Sequence, residues 1–338
     1  MKAVGYLKSL PVTASDCLTD FTAETPAPGP RDLRVAVKAV SVNPVDTKVR
    51  MRAAPADGEL PKVLGYDAAG VVEAVGPAVT LFRPGDEVFY AGSIARPGTN
   101  SELHLVDERI VGKKPKSLSF TQAAALPLTS ITAWEMLFDR LAVAPDKKDE
   151  DRALLVIGGG GGVGSIMIQL ARKRTRLTVI ATASRRATRD WCLKLGAHHV
   201  IDHAKPLGEQ LKAIGHANVA LIAGVTGTDQ SGPQIADIVA PQGKFVLIDD
   251  PKTFDIMPLK RKAASVHWES MFTRAIFQTP DMIEQHNLLN AVADMVDAGE
   301  IVTTAAQELS PINAANLIKA HAQVESGTTI GKVVVQGW

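Results

Sequence analysis

A glycine-rich stretch, residues 154–172, constrains the fold of this chain more than any other feature. It reads LLVIGGGGGVGSIMIQLAR, an apolar run followed by glycines and then by a helical pattern. Three of the glycines keep the spacing G-x-G-x-x-G: Gly159, Gly161 and Gly164. The apolar residues of the helical pattern share one face of an amphipathic helix: Val163, Met167 and Leu170. A strand, a tight turn and a helix in this order predict the first unit of a doubly wound α/β domain.

The glycines have different tasks in such a turn. Gly159 permits the tight turn, Gly161 lets the backbone approach a pyrophosphate, and Gly164 lets the helix pack closely on the strand. Free N–H groups at the start of the helix favour an anion. We therefore assign a phosphate cradle to five residues: Gly159, Gly161, Gly162, Val163 and Gly164. A flexible glycine loop without a ligand is the alternative.

Length and composition limit the number of domains, the kinds of partner and the role of the cysteines. At 338 residues the chain exceeds the usual size of one core, so we expect two domains. A net charge of +1 gives no reason to expect a nucleic acid or a membrane surface as partner. The N-terminus lacks an apolar signal core and no apolar run approaches a membrane span, so we expect a cytoplasmic protein. Two cysteines, Cys17 and Cys192, are too few for a disulfide framework or a thiolate zinc site, and we expect both to be buried.

The chain changes character near residue 119. Before it, short apolar runs between Gly and Pro predict the strands of an all-β unit: residues 33–42, 70–75, 86–90 and 103–106. After it, Ala-rich stretches predict two helices that are split by Pro127, where we expect the chain to pass between domains. The charged segment 144–151 is predicted as a surface loop.

Strand-like and helical runs alternate around and after the glycines. The predicted strands are residues 154–157, 177–181, 199–201, 219–222 and 244–248. The helices expected between them are residues 189–196, 208–215 and 232–240. This alternation is typical of a doubly wound parallel sheet. The chain then continues with helices near 287–298 and 313–322 and with a last strand, 331–336, which we expect to return to the first domain.

The segment about 20 residues past the glycines, where an Asp or Glu would bind a ribose hydroxyl, holds no carboxylate. It reads ATASRRATR, residues 181–189, and offers hydroxyl and guanidinium groups instead: Thr182, Ser184, Arg185, Arg186 and Arg189. A guanidinium can donate two hydrogen bonds to one phosphate, so the sequence favours NADPH, with Arg185 as the first candidate for its 2′-phosphate. A solvated basic face at the start of a helix is the alternative.

Four motifs occur in an order that resembles a known family over nearly the whole chain: GDEVFYAG, AAALPLTSITAWE, the glycine stretch and SGTTIGKVVV. The chain resembles the medium-chain dehydrogenase/reductase superfamily, and within it the quinone oxidoreductase-like branch with its zinc-type alcohol dehydrogenase-like members. The resemblance implies an α/β protein with a GroES-like β domain and a Rossmann domain, a doubly wound parallel sheet, with an active-site cleft between them. It places residues 1–127 and 267–338 in the first domain and 128–266 in the second, and it implies a homodimer joined through Rossmann-domain strands.

Zinc enzymes of this superfamily bind the catalytic ion with a Cys, a His and a second Cys, and a structural ion with a four-Cys lobe. The matching catalytic positions here are Asn43, Tyr66 and the region of Leu128. The lobe region, residues 90–105, contains no cysteine. Because catalytic zinc usually needs three N, S or O ligands from the protein, we expect no metal.

The resemblance also implies catalytic residues. Asn43 and Asp46 lie in a loop that would face the nicotinamide, where an amide can orient a ribose or substrate oxygen; turn chemistry around Pro44 is the alternative. Tyr66 replaces the ligand His and could donate its O–H to a developing oxyanion, or could be a buried aromatic residue.

Other residues are implied as cofactor contacts. Thr129 matches a family contact, and Ser130 could cap the following helix. The remaining contacts are implied by position: His203, Val225, Gly227, Ile248 and Lys332. Neither a Ser-His-Asp arrangement nor a pair of carboxylates is expected.

Without a metal to polarise a simple ketone, conjugated acceptors are the natural substrates, because their π system spreads the negative charge. We predict an NADPH-dependent oxidoreductase that transfers hydride to a quinone or another conjugated carbonyl compound. Three alternatives stay open: an alkenal or enoyl double-bond reductase, a zinc-type alcohol dehydrogenase as the family label has it, and a non-catalytic NADPH-binding protein of the crystallin or sensor type.

Overall fold

The computed structural model describes residues 1–145 and 152–338. Most of the loop predicted at 144–151 lies outside the described residues. The described chain divides into two compact units, Met1–Ile131 with Phe272–Trp338 (unit 1) and Thr132–Met271 (unit 2). The boundaries expected from the sequence, after 127 and after 266, stay a prediction.

The strands in chain order are β1 (Lys2–Tyr6), β2 (Thr19–Thr22), β3 (Asp32–Val42), β4 (Lys62–Val63), β5 (Ala68–Val75), β6 (Glu87–Tyr90), β7 (Leu103–Asp107), β8 (Val111–Lys113), β9 (Ala153–Ile157), β10 (Thr178–Thr182), β11 (His199–Ile201), β12 (Val219–Gly224), β13 (Val239–Leu247), β14 (Ser265–Trp268), β15 (Ala305–Leu309) and β16 (Lys332–Gln336). The α-helices are α1 (Pro44–Arg52), α2 (Phe120–Ala124), α3 (Pro127–Trp134), α4 (Gly162–Arg174), α5 (Arg186–Lys194), α6 (Leu207–Ala213), α7 (Thr228–Ile238), α8 (Thr273–Phe277), α9 (Glu284–Asp297) and α10 (Ala314–Glu325). A π-helix, Glu135–Arg140, continues α3. Short 3₁₀ helices cover Glu108–Ile110 and Met257–Lys262.

Unit 1 is built mainly from antiparallel strands. Its larger sheet has the order β15-β16-β3-β5-β6-β8, with β7 also paired to β3, and a smaller sheet has the order β2-β1-β4. The first half of β3 alternates half-buried and buried residues, as a strand with one face on the core does. Near the end of the chain, β16 pairs antiparallel with β3, with Val333 opposite Val42, and so completes the larger sheet.

Unit 2 contains one parallel sheet in the order β11-β10-β9-β12-β13-β14. Numbered along the chain from β9, this order is 3-2-1-4-5-6, which confirms the predicted doubly wound sheet. All five residues of β9 are buried, as expected of a central strand covered on both faces. The sequence did not predict β14, a short edge strand whose four residues are half-buried or exposed.

Two local predictions were wrong. Helix α4 is not amphipathic: every residue from Val163 to Ala171 is buried, and the Trp191 indole on α5 donates to Ser165 Oγ at 2.8 Å. Ser130 does not cap a helix, because α3 already begins at Pro127 and runs through it. Both cysteines are buried, as expected. None of the described helices is long and apolar enough to cross a membrane.

Candidate functional site

The glycine turn of unit 2 joins the end of β9 to the start of α4. Gly161 caps α4 in an ordinary extended conformation with φ −82°. A Cβ added at Gly161 would meet nothing nearer than the Gly158 carbonyl oxygen, at 4.0 Å, whereas a Cβ at Gly164 would lie 2.3 Å from the same oxygen. Gly164 is therefore required by packing, and Gly161 leaves open space at the helix start, where N–H groups and the helix dipole favour a phosphate.

The tight turn itself depends on a glycine that the sequence motif did not single out. Gly158 has φ +94°, in the left-handed region, so it takes the task that we had given to Gly159. Gly159 is needed for a different reason: a Cβ there would lie 2.8 Å from Ala181 Cβ and 3.0 Å from Cys192 Sγ. The motif spacing located the turn correctly and gave the wrong residue for the backbone conformation.

Other predicted contacts lie at the ends of neighbouring strands of the same sheet. Thr182, which is buried, accepts a hydrogen bond from Gly158 N at 3.0 Å and forms one with Nδ1 of the exposed His203 at 3.2 Å. Val225 N donates to the Ile157 carbonyl at 3.0 Å. The structure therefore brings these residues together around the glycine turn, with Thr182 as a support of the turn.

Two more predicted contacts follow the neighbouring strands. Ile248, which is half-buried, comes directly after β13, and its N–H donates to the Gly224 carbonyl at 3.2 Å. Gly227 has φ +73° and precedes α7. Because ligands of open parallel sheets bind at the carboxyl ends of the strands, both lie at the correct edge for a dinucleotide.

The predicted basic cluster lies at the end of β10, on the solvent side. Ser184, Arg185 and Arg186 are all exposed. Arg185 is the N-cap residue of α5, and Arg186 Nε lies 3.8 Å from the Asp190 carboxylate, one helical turn further on. An exposed guanidinium at the start of a helix is accessible to an incoming phosphate, to which it can donate two hydrogen bonds.

In unit 1, a buried polar cluster forms around Asp67, which sequence reasoning missed. One carboxylate oxygen of Asp67 accepts from Ser41 Oγ at 2.9 Å, Asn43 Nδ2 at 2.8 Å and Lys332 Nζ at 3.1 Å. The other accepts from Leu128 N, at the start of α3, at 2.8 Å. The available signal was a carboxylate at the start of an apolar strand, because a buried charge must be paired.

Lys332 lies wholly inside this cluster. Its ammonium group donates to the Val42 carbonyl at 3.0 Å, to Asp67 and to Asn43 Oδ1. Since these bonds use all three N–H groups, a direct contact with a cofactor would require one of them to break. The Thr129 hydroxyl is likewise engaged, as it donates to the Leu126 carbonyl at 3.0 Å.

Asp46 closes the start of α1. Its Oδ2 accepts from Asn43 N at 2.7 Å and its Oδ1 from Gly65 N at 2.9 Å. Burial raises the pKa of Asp46 to about 7, although these N–H groups and the charge of Lys332 favour the ionised form. Both carboxylate oxygens therefore hold the backbone, which matches the turn-chemistry interpretation.

Tyr66 is buried, with its ring edge-to-face against Phe272 at a centroid distance of 5.4 Å and an angle of 73°. Burial, and then the nearby Asp46 charge, raise the pKa of its phenol, so the hydroxyl stays protonated. Within residues 1–145 and 152–338, no group forms a hydrogen bond with this hydroxyl. The phenol is therefore a neutral donor that has no acceptor among the described residues.

Comparisons with known proteins agree with this architecture. Residues 29–116 match the alcohol dehydrogenase GroES-like domain, and residues 195–335 match the zinc-binding dehydrogenase family. A zinc-type alcohol dehydrogenase-like protein of Staphylococcus aureus strain COL is 40% identical over 337 residues, which is 99% of each chain. The chain belongs to the medium-chain dehydrogenase/reductase superfamily. It is thus an oxidoreductase by family, and its GroES-like and Rossmann-type folds are confirmed.

Solved structures of this superfamily show the same fold. A Rhizobium etli CFN 42 protein described as a zinc-dependent alcohol dehydrogenase has a TM-score of 0.96 and 61% identity, covering 100% of this chain and 98% of that one. A quinone oxidoreductase of Pseudomonas syringae pv. Tomato DC3000 has a TM-score of 0.83 and 27% identity, covering 99% of both chains. The relatives thus include both proteins described as zinc-type alcohol dehydrogenases and a quinone oxidoreductase.

The donor set of this member does not fit zinc. By resemblance, two of the three positions that match the zinc ligands hold an amide and a phenol, Asn43 and Tyr66, and the third falls near the aliphatic Leu128. In the part of the chain that the structure describes, no group of three His, Cys, Asp or Glu side chains could hold an ion. The buried carboxylate of Asp67 already has a cation, the ammonium group of Lys332. No step of the chemistry is therefore assigned to a metal.

One expectation about carboxylates was wrong. In unit 2, Glu269, whose side chain is fully buried, lies beside the buried Glu135, and Arg140 Nε donates to Glu269 Oε2 at 2.8 Å. Burial, and then the neighbouring Glu135 carboxyl, raise the pKa of Glu269 well above its usual range. A sequence separation of 134 positions (269 − 135) hid this pair from pattern analysis.

Proposed function

We propose that this protein is an NADPH-dependent reductase of quinones and other conjugated carbonyl compounds that works without a bound metal. The observation that carries the proposal is the polar cluster of unit 1: the positions that resemble the first two zinc-ligand positions hold Asn43 and Tyr66, the third falls near Leu128, and no metal-ligating group of three side chains occurs among the described residues. The similarity to a quinone oxidoreductase over 99% of both chains supports the same class of acceptor.

Unit 2 would hold the cofactor. The N–H groups at the start of α4, beside the open face of Gly161, fit a pyrophosphate, and Thr182 keeps the preceding turn in place. Arg185, exposed at the end of a strand that carries no carboxylate, would bind the 2′-phosphate. Bound NADPH supplies a hydride from C4 of its nicotinamide.

Unit 1 would bind the conjugated carbonyl compound that accepts the hydride. The neutral phenol of Tyr66 can donate a hydrogen bond to an oxygen that gains negative charge, because no protein acceptor competes for it in the described residues. Asp46 and Asp67 act on the backbone and on side chains of the cluster, so neither is needed at the reacting atoms. A conjugated acceptor spreads its own negative charge, so neutral donors can stabilise it without a metal.

We also propose that the protein is a homodimer. The edge strand β14 has one hydrogen-bonding partner, β13, among the described strands, and Trp268 at its end is 61% exposed. An uncovered edge with an exposed indole favours association with a second copy. Light scattering at micromolar concentration would give twice the mass of one chain, and a monomer mass would contradict this.

The function is tested by following NADPH oxidation at 340 nm with a panel of acceptors: 1,2-naphthoquinone, an α,β-unsaturated ketone, an enoyl thioester and a saturated ketone. We expect turnover of the quinone and the unsaturated ketone, none of the saturated ketone, and no change with added zinc or a chelator. Turnover of the enoyl thioester alone would favour the double-bond reductase. Tight NADPH binding without any turnover would favour a non-catalytic role.

A further inference from the structure

The side-chain amide of Asn43 is held at both ends by groups that cannot exchange roles. Its Oδ1 accepts from Lys332 Nζ, and its Nδ2 donates to Asp67 Oδ2 at 2.8 Å. An ammonium group has only donors and an ionised carboxylate only acceptors. The amide therefore has one orientation, because a flip would turn its N–H groups toward the ammonium and its oxygen toward the carboxylate.

This arrangement leaves one N–H of the amide unused. The Nδ2 group has two N–H bonds, and among the described residues Asp67 is its one acceptor. Asn43 is itself buried, at 1% exposure, so the remaining N–H cannot be fully satisfied by bulk water. A buried donor in this state favours an acceptor atom that a ligand supplies.

The two charged partners are themselves rigidly fixed. Asp67 also accepts from Ser41 Oγ and from Leu128 N, and Lys332 also donates to the Val42 carbonyl. Their side chains are 0% and 4% exposed. The pair thus links β3, α3 and β16 and holds the Asn43 amide in a frame that cannot rotate easily.

We infer that Asp67, together with Lys332, is a positioning residue that fixes the Asn43 amide so that it presents an N–H, and never its oxygen, to a carbonyl oxygen of the bound reactants. This rests on the proposed function, because the carbonyl belongs either to the conjugated acceptor or to the carboxamide of the nicotinamide. In both cases the side chain recognises a hydrogen-bond acceptor.

The test exchanges the two side chains in one variant, Asn43→Asp with Asp67→Asn. The exchange keeps the composition and charge of the cluster and leaves Lys332 an anionic partner, and Asp is also a good N-cap for α1. The side chain at position 43 then has no N–H to donate, while the backbone N–H that Asp46 accepts is unchanged. A matched control, Arg31→Met with Glu108→Gln, removes another ion pair of unit 1. Its atoms, Arg31 Nη1 and Glu108 Oε1, lie 2.8 Å apart, and both residues are outside the cluster.

Three experiments are made on the wild type and both variants: fluorescence titration for the NADPH dissociation constant, steady-state kinetics for kcat and KM with a quinone and an unsaturated ketone, and thermal unfolding for its midpoint. We expect the exchanged variant to fold. Either its NADPH affinity or its kcat/KM should fall at least tenfold, which is equivalent to about 1.4 kcal/mol. Weaker NADPH binding would identify the carboxamide of the nicotinamide as the group that accepts from Asn43. A lower kcat/KM with unchanged NADPH binding would identify the carbonyl of the acceptor instead. The control variant should match the wild type in both NADPH affinity and kcat/KM.

Wild-type values of NADPH affinity and kcat/KM in the folded exchanged variant would overturn the inference. If that variant does not fold, Asp67→Asn with Lys332→Met replaces it, since this pair removes both charges at similar volume and frees the amide to turn. The same tenfold loss of NADPH affinity or of kcat/KM is expected from this second variant. Wild-type values of both would equally refute the positioning role. Failure of the wild type to reduce any acceptor would instead refute the proposed function. The carboxamide of the nicotinamide would then be the one remaining partner of Asn43, and an unchanged NADPH dissociation constant in the folded exchanged variant would overturn the inference.

Discussion

Replacing Gly161 by Val separates cofactor binding from folding more sharply than any other change in unit 2. The added side chain starts in open space, with the nearest atom 4.0 Å from its Cβ, and the backbone φ of −82° suits any residue. Losing a glycine N-cap lowers the free energy of unfolding by about 1 kcal/mol. Because valine restricts the unfolded chain more than glycine does, the same substitution raises the free energy of unfolding by about 0.4–1 kcal/mol. We therefore expect the thermal midpoint of Gly161→Val to lie close to that of the wild type.

Cofactor binding should respond differently. The methyl groups would occupy the space through which a pyrophosphate reaches the N–H groups at the start of α4, and each charge-assisted hydrogen bond contributes about 1.5–3 kcal/mol. Loss of even one such bond weakens NADPH binding by about 10- to 150-fold, at about 1.4 kcal/mol per factor of ten. Fluorescence titration with NADPH measures this change directly, and circular dichroism confirms that the domain is folded.

Two neighbouring glycines serve as controls. A Cβ at Gly160 would lie 3.0 Å from Thr188 Cγ2, a methyl group that can shift, so Gly160→Ala should cost little in either assay. A Cβ at Gly164 would lie 2.3 Å from a backbone oxygen, so Gly164→Ala should lower the unfolding midpoint itself. Wild-type NADPH affinity in folded Gly161→Val, or an equal loss of affinity in Gly160→Ala, would refute this account of the turn.

The remaining predictions concern the basic cluster, the phenol, the carboxyl pair and the metal. Arg185→Ala should narrow the preference for NADPH over NADH at least tenfold, about 1.4 kcal/mol, without weakening NADH binding; equal NADPH and NADH constants in the wild type would show that the cluster is only surface. Tyr66→Phe should lower kcat and kcat/KM for an unsaturated ketone on the order of a hundredfold, and less for a quinone, with an unchanged unfolding midpoint; full activity would remove the phenol from the mechanism. Because Glu269 holds a proton in the folded state that the unfolded chain releases above its usual pKa of 4.5, stability should fall as the pH rises from 5 toward the raised pKa of about 9. Glu269→Gln should flatten that fall, and an unchanged slope would mean that the carboxyl titrates normally. Elemental analysis should find no stoichiometric zinc, and one tightly held ion per chain, lost together with activity, would contradict the reading of the ligand positions.

Local sequence patterns predicted most of the architecture of unit 2, but not the edge strand β14. Apolar runs of strand length alternating with helices predicted five of its parallel strands, and the order of the sheet agrees with that pattern. The glycine motif located the turn at the end of β9, and the absence of a carboxylate from residues 181–189, which include Arg185, was visible in the sequence alone. These features were predictable because strand formation, tight turns and helix starts depend on residues that are close together in the chain.

The site in unit 1 was only partly predictable. The sequence pointed to Asn43, Asp46, Tyr66 and Lys332, and the structure places all four around a buried cluster. It did not point to Asp67, which accepts hydrogen bonds from Asn43 and Lys332, or to the engagement of Lys332 on three acceptors. These contacts depend on how strands from both ends of the chain pair in one sheet, with partners as far apart as 265 and 290 positions.

The sequence determined which backbone segments form, because their conformational preferences and apolar periodicity are local. The tertiary structure decided which polar groups are buried together, and with that their charges, their hydrogen-bond partners and the orientation of the Asn43 amide. A buried donor or acceptor must find a partner wherever the fold supplies one, and the nearest partner in space has no fixed distance along the chain. For this reason the cofactor turn could be found from its spacing, whereas Asp67 emerged only when β3, α3 and β16 came together.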